Sequence, residues 1–436
     1  MEEQSTIHPP GLIGYDAHHP PAEELIDKCV HCGLCLNACP TYRELRVEMD
    51  SPRGRIYQMA QVASGAMVIN PSYIEHIDLC LACRGCETAC PSGVQYGRLV
   101  EAARAEIENT VQRPWRARLA RQVVFRKILP SRVNLWLAGA LLYLYQASGL
   151  KKLVRTLHLL PRKLAEVESL APEVQAPFFF RYYGSVLAPE NTGRYRVAFI
   201  AGCIANISFA RLNEATLRVL RKNGCEVSIP ATQTCCGALH VHAGLREEAR
   251  KLARHNIDAF LGGNYDAIVT NAAGCGSTLK EYGELLEHDP QYAEKARHFS
   301  MLVRDITEFL ASIELHLDLR SLPISVTYQD SCHLVHGQCV RAAPRQLLAS
   351  IPGLQLREMP LSDLCCGSAG IYNVLHTDMA MALLKKKMDA VNATEAEVIA
   401  TANPGCMLQL SAGVKKFGRG QKVAHVVEIL DQAYNG

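Results

Sequence analysis

The C-terminal half of the chain alternates short apolar runs with longer amphipathic ones. Residues 195–201 (YRVAFIA) and 324–329 (ISVTYQ) are rich in apolar and β-branched side chains, which predicts buried strands. A helical stretch follows each of them, at residues 213–222 and 341–350. The same pattern predicts two more strands in each half: residues 226–230 and 267–271, then residues 354–359 and 397–402. Strands that alternate with helices are typical of a mostly parallel α/β sheet.

The cysteines of this half indicate a tandem duplication of one domain. Each copy has a cysteine after its first predicted strand, then a Cys-Cys-Gly turn, then a last cysteine. The members are Cys203, Cys235, Cys236 and Cys275 in one copy, and Cys332, Cys365, Cys366 and Cys406 in the other. Offsets of 129 to 131 residues predict tandem domains at residues 193–312 and 313–436.

All eight of these cysteines follow predicted strand ends, where ligands gather in parallel sheets. We therefore expect each set of four to converge on one site. Two thiols that are adjacent in the chain cannot both point into one core, so the Cys-Cys-Gly turns look suited to metal, with glycine easing a tight backbone. Inert burial is the better explanation only for the isolated Cys225 and Cys339.

Eight further cysteines lie near the N-terminus with a different spacing. Two runs of the form C-x-x-C-x-x-C-x-x-x-C-P contain Cys29, Cys32, Cys35 and Cys39, then Cys80, Cys83, Cys86 and Cys90. This is the bacterial ferredoxin spacing, in which the fourth cysteine of each run ligates the other cluster. It predicts one [4Fe–4S] cluster on Cys29, Cys32, Cys35 and Cys90, and a second on Cys80, Cys83, Cys86 and Cys39. Zinc sites use other spacings, so residues 1–112 are predicted to be a helical ferredoxin-type domain that moves electrons.

Composition agrees with a multi-domain cytoplasmic protein. The chain has 436 residues, of which 48% are hydrophobic and 20% charged, which is ordinary for several folded domains. Its N-terminus is acidic where a signal peptide would be basic. Eighteen cysteines without such a leader indicate a reducing compartment, where thiols bind metal rather than form disulfides.

A basic linker, residues 113–192, is predicted between the two halves. No Asp or Glu occurs from position 109 to position 165, although this stretch holds twelve cations. They are Arg113, Arg116, Arg118, Arg121, Arg126, Lys127, Arg132, Lys151, Lys152, Arg155, Arg162 and Lys163. Residues 133–150 (VNLWLAGALLYLYQASGL) carry no charge, and the chain's two tryptophans, Trp115 and Trp136, lie in the same stretch.

Three interpretations of the linker remain open. A spanning helix needs about 20 strongly apolar residues, and this run is short and diluted by polar ones. A helix docked on a partner subunit explains the apolar run but not the missing acids. A segment lying in the membrane interface explains both, because cations are attracted to anionic lipid. The pattern therefore favours peripheral contact with the inner face of the cell membrane; no nucleic-acid-binding module is recognisable.

Two shorter strings also have competing explanations. In SPRGRIYQM at residues 51–59, Ser51 and Pro52 are typical of a helix start. Arg53 and Arg55 in the same string would also add positive potential beside a cluster. The aromatic string FFFRYY at residues 178–183 favours packing between domains over docking of a partner.

The Cys…Cys-Cys-Gly…Cys pattern resembles the cysteine-rich domain of the heterodisulfide reductase superfamily. A double ferredoxin motif followed by two such domains resembles the iron–sulfur subunit of bacterial glycolate oxidase. The supporting strings are CVHCGLCLNACPTY at residues 29–42, SPRGRIYQM at 51–59, CETACPSGV at 86–94 and CCGSAGIY at 365–372. The fuller superfamily motif has a fifth cysteine, replaced here by Ala272 and Asn403. Four thiols per copy still suffice for one further iron–sulfur cluster or one zinc ion.

The resemblance implies an α+β protein that transfers electrons for a membrane-associated 2-hydroxy-acid dehydrogenase, with glycolate as the substrate. No catalytic constellation, dinucleotide fingerprint or P-loop is visible in the sequence. A 2-hydroxy acid loses a hydride whereas clusters pass single electrons, so a flavin-containing partner subunit must stand between them. Electrons would leave towards quinone. The alternatives are the iron–sulfur subunit of an anaerobic glycerol-3-phosphate or lactate dehydrogenase, and a zinc-stabilised cysteine-rich half that only anchors the complex.

Overall fold

A computed structural model of the chain describes Tyr15, Pro21, residues 23–157, Glu168 and residues 173–435. Two of the predicted linker cations, Arg162 and Lys163, lie outside the described residues. The chain divides into two compact units. The first comprises the chain up to Pro114 with the segment 239–246, and the second comprises residues 115–238 with 247–436. The predicted fold class, helical N-terminal domain followed by α/β repeats, is confirmed.

The first unit is built from helices, three of which start at prolines. Its helices are Glu23–Asp27, Pro40–Leu45, the 3₁₀ turn Glu48–Asp50, Pro52–Ala63, Pro71–Asp78, Gly85–Thr88 and Tyr96–Thr110. The helix predicted from SPRGRIYQM is present, because the Ser51 hydroxyl accepts the backbone N–H of Gly54 at 3.0 Å and Pro52 occupies the first turn. Asn70 caps the next helix by accepting from the N–H of Tyr73 at 3.0 Å.

Apolar side chains of these helices form the core of the first unit. Met59, Ile77 and Leu99 have no exposed surface and come from three different helices. The buried cysteines Cys80 and Cys86 belong to the same hydrophobic cluster. The cysteine loops are therefore held directly by the core, so side-chain positions there are set by packing.

Two parallel sheets make up the repeats in the second unit. The strands are β1 Val186–Leu187, β2 Tyr195–Phe199, β3 Cys225–Ser228, β4 Ala267–Thr270, β5 Val303–Asp305, β6 Ser325–Tyr328, β7 Gln355–Arg357, β8 Val398–Thr401 and β9 Lys422–His425. The strand orders are β1-β3-β2-β4-β5 and β7-β6-β8-β9, and every pair is parallel except β1 with β3. All six predicted strands are present; the sequence patterns missed the edge strands β1, β5 and β9.

Helices follow the strands in both repeats. In the first they are Ala205–Ser208, Ala210–Lys222, Arg246–Phe260, Ala273–Lys280, Tyr282–Leu285, Ala293–Leu302 and Ile306–Ser312. The short helix Ala238–His242 lies between them in sequence but falls almost entirely in the segment of the first unit. In the second repeat they are the π-helical turn His333–Gly337, then Ala343–Ala349, Tyr372–Leu375, Thr377–Ala393, Pro404–Phe417 and Val426–Asn435. The helices predicted at 213–222 and 341–350 correspond to Ala210–Lys222 and Ala343–Ala349.

The two repeats share one hydrophobic core. Phe199 and Val269 of the first sheet belong to the same buried cluster as Val326 and Tyr328 of the second. Helices from both repeats also meet at the surface, where Arg218 and Asp431 form an ion pair at 2.6 Å. Because the repeats bury apolar surface against each other, the duplicated half forms one packed body.

The linker forms helices, of which Arg132–Ala147 approaches Ile207 of the first repeat at Gly139 and Gln122–Ile128 is tied to it by the Arg126–Glu248 ion pair. They are Trp115–Arg121, the π-helix Gln122–Ile128, Arg132–Ala147 and Leu150–Thr156. The aromatic string is folded against this body, as predicted: Phe179 and Phe180 are buried, and Phe178 meets Trp136 edge to face with centroids 6.3 Å apart. Among the helices that the structure describes, none has both the length and the apolar character needed to cross a bilayer.

Both Cys-Cys-Gly turns place glycine where the backbone has positive φ. Gly237 has φ +85° and Gly367 has φ +90°. A Cβ on Gly367 would lie 2.6 Å from the carbonyl oxygen of Ala380, whereas one on Gly237 would lie 3.5 Å from Ala249. The second turn therefore approaches its neighbouring helix more closely than the first.

This difference predicts unequal costs for two matched substitutions. Either Gly237→Ala or Gly367→Ala should lose about 1–2 kcal/mol, because an L side chain disfavours positive φ. Gly367→Ala should lose about 1–3 kcal/mol more through overlap with Ala380. Thermal unfolding of the two variants, measured side by side, checks the order. A Gly237→Ala variant that unfolds at or below the temperature of Gly367→Ala would contradict it.

Asp305 predicts a pH dependence of stability. It is fully buried at the end of β5, where its Oδ1 accepts from the N–H of Thr307 at 2.8 Å and caps helix Ile306–Ser312. Burial raises its pKa from 3.8 to about 6, opposed by the Thr307 hydrogen bonds and by Lys280, and assisted by Glu308. A raised acid pKa means that stability present at low pH is lost as the pH rises through 6.

Asp305→Asn keeps the capping oxygen but does not ionise. Between pH 5 and pH 8 the wild type should therefore lose about 1.4 kcal/mol relative to this variant, since one pKa unit of the shift is released in that window. Urea unfolding of both proteins at several pH values measures the difference. If the difference stays constant from pH 5 to pH 8, the carboxyl does not titrate there.

Candidate metal centres

The N-terminal cysteines form two groups, and each group draws members from both cysteine runs. One group lines one cavity: Cys29, Cys32, Cys35 and Cys90. The other lines a second cavity: Cys39, Cys80, Cys83 and Cys86. These are the groupings predicted from the ferredoxin spacing. The role of each individual thiol as a ligand stays a prediction.

The two cavities fit iron–sulfur clusters. Four thiolates are the donor set that a [4Fe–4S] cluster uses. Structural zinc sites use other spacings, such as two C-x-x-C pairs or mixed cysteine and histidine ligands. The ferredoxin spacing of these thiols, with the fourth member of each group supplied by the other run, therefore suits a cluster better than a single ion.

The cysteine loops wrap both cavities with the same backbone conformation. His31 and Gly33 have φ of 53° and 84°, and Ala82 and Arg84 have φ of 51° and 61°. In each run these are the second and fourth residues after the first cysteine. A left-handed backbone costs a residue with a side chain roughly 1–2 kcal/mol, so it persists only where the surrounding structure imposes it. The alternation of left-handed residues with cysteines curls the chain around the site.

Two arginines of one helix reach the two different cavities. Arg53 lines the first cavity, where its Nη1 donates to the carbonyl of His31 at 3.2 Å and its Nε pairs with Glu48 at 2.7 Å. Arg55 lines the second and is almost completely buried. It donates to the carbonyl of His76 at 2.7 Å and pairs with Asp50 at 3.3 Å. The string SPRGRIYQM therefore both starts a helix and places an arginine beside each site.

Cys80 lies where negative charge on sulfur is favoured. Burial alone would raise its pKa, but the charges of Arg55 and Arg104 and hydrogen bonds from Tyr96 and Ala82 outweigh burial and lower it. The Tyr96 hydroxyl lies 3.6 Å from Sγ, and the Ala82 N–H lies 3.3 Å from it. Sequence reasoning missed Arg104 and Tyr96, because nothing in their local sequence distinguishes them from ordinary helix residues.

In the first repeat, four thiols converge at the carboxyl end of the sheet. Sγ of Cys203 lies 3.5 Å from Sγ of Cys235, and hydrogen bonds continue from Cys235 to Cys236 and from Cys236 to Cys275. Three of them are buried and Cys275 is half-buried. The hydrogen bond shared with Cys235, together with burial, raises the pKa of Cys203 well above its usual value. Such thiols keep their protons until a cation replaces them.

The second repeat forms the same constellation. Hydrogen bonds link Cys332 to Cys365, Cys365 to Cys366 and Cys366 to Cys406, and all four side chains are buried. Four soft thiol donors suit either an iron–sulfur cluster or tetrahedral zinc. The isolated cysteines lie outside both groups: Cys225 is buried in β3, and Cys339 is exposed.

Two residues beside the second group of thiols make contacts that the sequence did not predict. Asn403, which replaces a cysteine of the fuller motif, donates from Nδ2 to Sγ of Cys406 at 3.4 Å. Its Oδ1 accepts the backbone N–H of Gly274 in the first repeat at 3.3 Å. Lys387 is buried near Cys365 and Cys366. No local motif marked Lys387, because it lies on a helix with two other lysines in sequence, Lys385 and Lys386.

Comparison with protein families covers each part of this architecture. Residues 25–94 match the 4Fe-4S dicluster domain, and residues 197–280 and 326–411 each match the cysteine-rich domain. Residues 116–171 match the family described as the linker region of the glycolate oxidase iron–sulfur subunit. The chain therefore carries iron–sulfur clusters, as the cysteine spacing predicted.

Curated relatives extend the match to nearly the whole chain. The probable glycolate oxidase iron–sulfur subunit of Bacillus subtilis is 42% identical, covering 93% of both chains. The glycolate oxidase iron–sulfur subunit of Escherichia coli is 37% identical, covering 94% of this chain and 95% of its own. Lactate utilization protein A of Oceanobacillus iheyensis is 32% identical and covers 55% of this chain and 98% of its own. Identity at this level over full length, with every domain in the same order, shows that the chain belongs to the family of glycolate oxidase iron–sulfur subunits.

Proposed function

We propose that this chain carries electrons from a flavin-containing partner subunit to quinone at the membrane. Electrons enter the two N-terminal clusters singly and leave through the cysteine-rich repeats. Glycolate, or another 2-hydroxy acid, is oxidised on the partner, because a hydride must first be taken up by a group that accepts two electrons.

The observation that carries this proposal is the pair of four-cysteine cavities in the first unit. Clusters held in this way supply one-electron chemistry when bound, and their surroundings set the reduction potential. The chain's own groups hold and tune them: eight thiols provide the donors, while Arg53, Arg55 and Arg104 lie nearby as fixed positive charges. A protein with two such sites suits a relay for single electrons.

Lactate is the second candidate substrate of the complex. Proteins named for lactate utilization match about half of this chain at 30–32% identity, over almost all of their own length. Glycolate is favoured, because the relatives named for glycolate oxidase match both halves and the linker. Assaying the purified complex with glycolate, lactate and glycerol 3-phosphate separates the three substrates.

Cys365→Ser tests the exit through the second repeat. The serine hydroxyl is a poor ligand for iron, so quinone reduction should fall at least tenfold while substrate still reduces the N-terminal clusters. Stopped-flow absorbance of the complex follows cluster reduction, and a quinone assay follows the exit. Cys339→Ser is the matched control, since Cys339 is exposed in the same repeat and lies outside the thiol group.

Each result decides between two roles for the repeats. If Cys365→Ser reduces quinone at the rate of Cys339→Ser, the exit lies elsewhere and the repeats are structural. Iron and zinc analysis of both variants distinguishes a lost redox centre from a zinc scaffold, the alternative considered from the sequence.

We further propose that the linker holds the complex on anionic lipid at the inner face of the cell membrane. Helix Arg132–Ala147 exposes an apolar stripe at helical spacing: Val133, Leu137, Leu141 and Leu144, which are 47–68% exposed. Trp115 is 68% exposed and Trp136 is 48% exposed. Aromatic and aliphatic side chains beside cations are typical of the lipid headgroup level.

Not every linker cation is available to lipid. Arg126 pairs with Glu248 at 2.6 Å, and Arg155 pairs with Glu168 at 2.6 Å. Arg132 lies over the rings of Phe180 and Tyr183. The remaining basic side chains include Lys127 and Lys152, so the electrostatic attraction is smaller than twelve charges would give. Burial of the apolar stripe must supply the rest.

Leu141→Asp tests membrane contact against a matched control. Leu141 is 68% exposed on the stripe, whereas Leu317 is 90% exposed in the segment between the repeats. Leu141→Asp should weaken binding to vesicles of anionic phospholipid at least fivefold, because a charge enters the apolar face. Leu317→Asp should bind as the wild type does. High salt should weaken wild-type binding without abolishing it, since screening leaves apolar burial intact.

Co-sedimentation with vesicles measures both effects, and tryptophan fluorescence should shift to the blue on binding. Equal binding to neutral and anionic vesicles at all salt concentrations would remove electrostatics from the proposal. Absence of vesicle binding, combined with loss of the flavin subunit in Leu141→Asp, would assign the stripe to a partner subunit instead.

A further inference from the structure

The two repeats present the same four thiols but not the same surroundings. Positions in the two repeats can be matched through the sheets, because Val197 pairs with Ala267 in the first repeat and Val326 pairs with Val398 in the second. The Cys-Cys-Gly turns give a second match. A Cβ on Gly237 would meet Ala249, and a Cβ on Gly367 would meet Ala380. Helix residues beyond the turn therefore correspond with an offset of 131. With this correspondence, three positions around the thiol groups hold residues of different polarity or charge in the two repeats.

The first difference is a hydrogen bond to the last cysteine. Asn403 donates to Sγ of Cys406 at 3.4 Å, whereas its counterpart Ala272 has no polar side chain to offer Cys275. Hydrogen bonds that a charged acceptor receives are stronger than neutral ones, so an amide aimed at sulfur favours extra negative charge there.

The second difference is a buried hydroxyl. Ser331 precedes the first cysteine of the second repeat, is 1% exposed, and hydrogen-bonds with Cys406. Its counterpart, Gly202, has no side chain. Cys406 therefore receives hydrogen bonds from Asn403 and Ser331, whereas the corresponding residues near Cys275 have no polar side chain.

The third difference is a buried cation. Lys387 is 4% exposed and donates from Nζ to the carbonyls of Leu361 and Ser362 at 2.8 and 3.0 Å. It interacts electrostatically with Cys366 and Cys365. Its counterpart in the first repeat is the neutral Asn256, which donates to the carbonyl of Cys235 at 3.0 Å. A charge in a low-dielectric interior acts more strongly than one in water.

Other charges near the two groups do not cancel this difference. The buried Asp330 in the second repeat is paired with both terminal nitrogens of Arg345, each at 2.8 Å. Asp363 is paired with Arg341 at 3.1 Å. On the side of the first repeat, Arg132 is exposed and stacks on Tyr183, so water screens its charge.

We infer that the second repeat holds its redox centre at a higher reduction potential than the first, which makes it the electron acceptor of the pair. The inference rests on the proposed function, since it requires a redox centre in each repeat. Reduction adds one negative charge, and Asn403, Ser331 and Lys387 stabilise that charge only in the second repeat. One electron that leaves the first repeat, having come from the flavin subunit, thus passes to the second.

The repeats also touch along the line that this transfer would take. Asn403 bonds at once to Cys406 and to the backbone N–H of Gly274, the residue before Cys275. Gln338 of the second repeat donates to the carbonyl of Ala273 at 3.0 Å. Two hydrogen bonds through one side chain thus connect Cys406 to the residue that precedes Cys275.

A redox titration of the complete, anaerobically purified complex tests the inference. Electron paramagnetic resonance spectra are recorded across applied potentials, and loss of a signal in Cys365→Ser assigns the second-repeat centre. Asn403→Ala should lower the reduced-to-oxidised ratio of that centre about threefold, and Lys387→Gln about tenfold, at a given potential. Tenfold corresponds to about 59 mV for one electron. Lys387→Gln keeps hydrogen-bond donors for Leu361 and Ser362 while removing the charge.

Two controls make the outcome specific. Lys385→Gln removes an exposed cation from the same helix and should shift nothing. Ala272→Asn should raise the potential of the first-repeat centre, and this result stands even if a second-repeat variant loses iron. Unchanged potentials in Lys387→Gln and Ala272→Asn, with full iron content, would overturn the inference. In that case quinone reduction would still depend on Cys365, so the proposed function would stand although the inference about reduction potentials had failed.

Discussion

The crossed pairing of the two N-terminal cysteine runs is the constraint on which the first unit depends. Cys90 joins the first three cysteines of the other run, and Cys39 joins the first three of the second run. Each cavity therefore closes only when both loops and the helices between them are in place. The hydrophobic core that includes Cys80 and Cys86 supplies this closure. Because clusters bind thiolates from distant parts of the chain, cluster binding and folding of this unit are coupled.

Positive charge is distributed around these sites by a single capped helix. Ser51 and Pro52 start the helix, and the following turn sends Arg53 to one cavity and Arg55 to the other. Arg55 is buried with Asp50 and His76 as partners, so its position is fixed, whereas Arg53 is partly exposed beside Glu48. A charge that is buried acts on a neighbouring site with less screening than one in contact with water. A local motif that explains a helix start thus also sets the electrostatics of two separate centres.

Duplication gave the second unit two equivalent sites, and packing made them unequal. The repeats bury one common core, so neither sheet can rearrange independently of the other. Within that shared frame, single side chains decide the local charge: Asn403 against Ala272, and Lys387 against Asn256. Asn403 also hydrogen-bonds across to Gly274, so this position is a contact between the repeats. Divergence at such positions changes a site's properties without changing its fold.

The sequence alone determined the domain order, the duplication and both four-cysteine groupings, because cysteine spacing and strand periodicity are local patterns with few physical solutions. It also predicted the helix after Ser51 and the packing of residues 178–183. It did not predict the edge strands β1, β5 and β9, of which β1 has two residues and β5 has three. Nor did it identify Arg104, Tyr96 or Lys387, whose importance comes only from which buried sulfur each one approaches. Distances between residues far apart in the chain are decided by tertiary packing, since burial against a shared core, rather than local sequence, sets where those side chains lie.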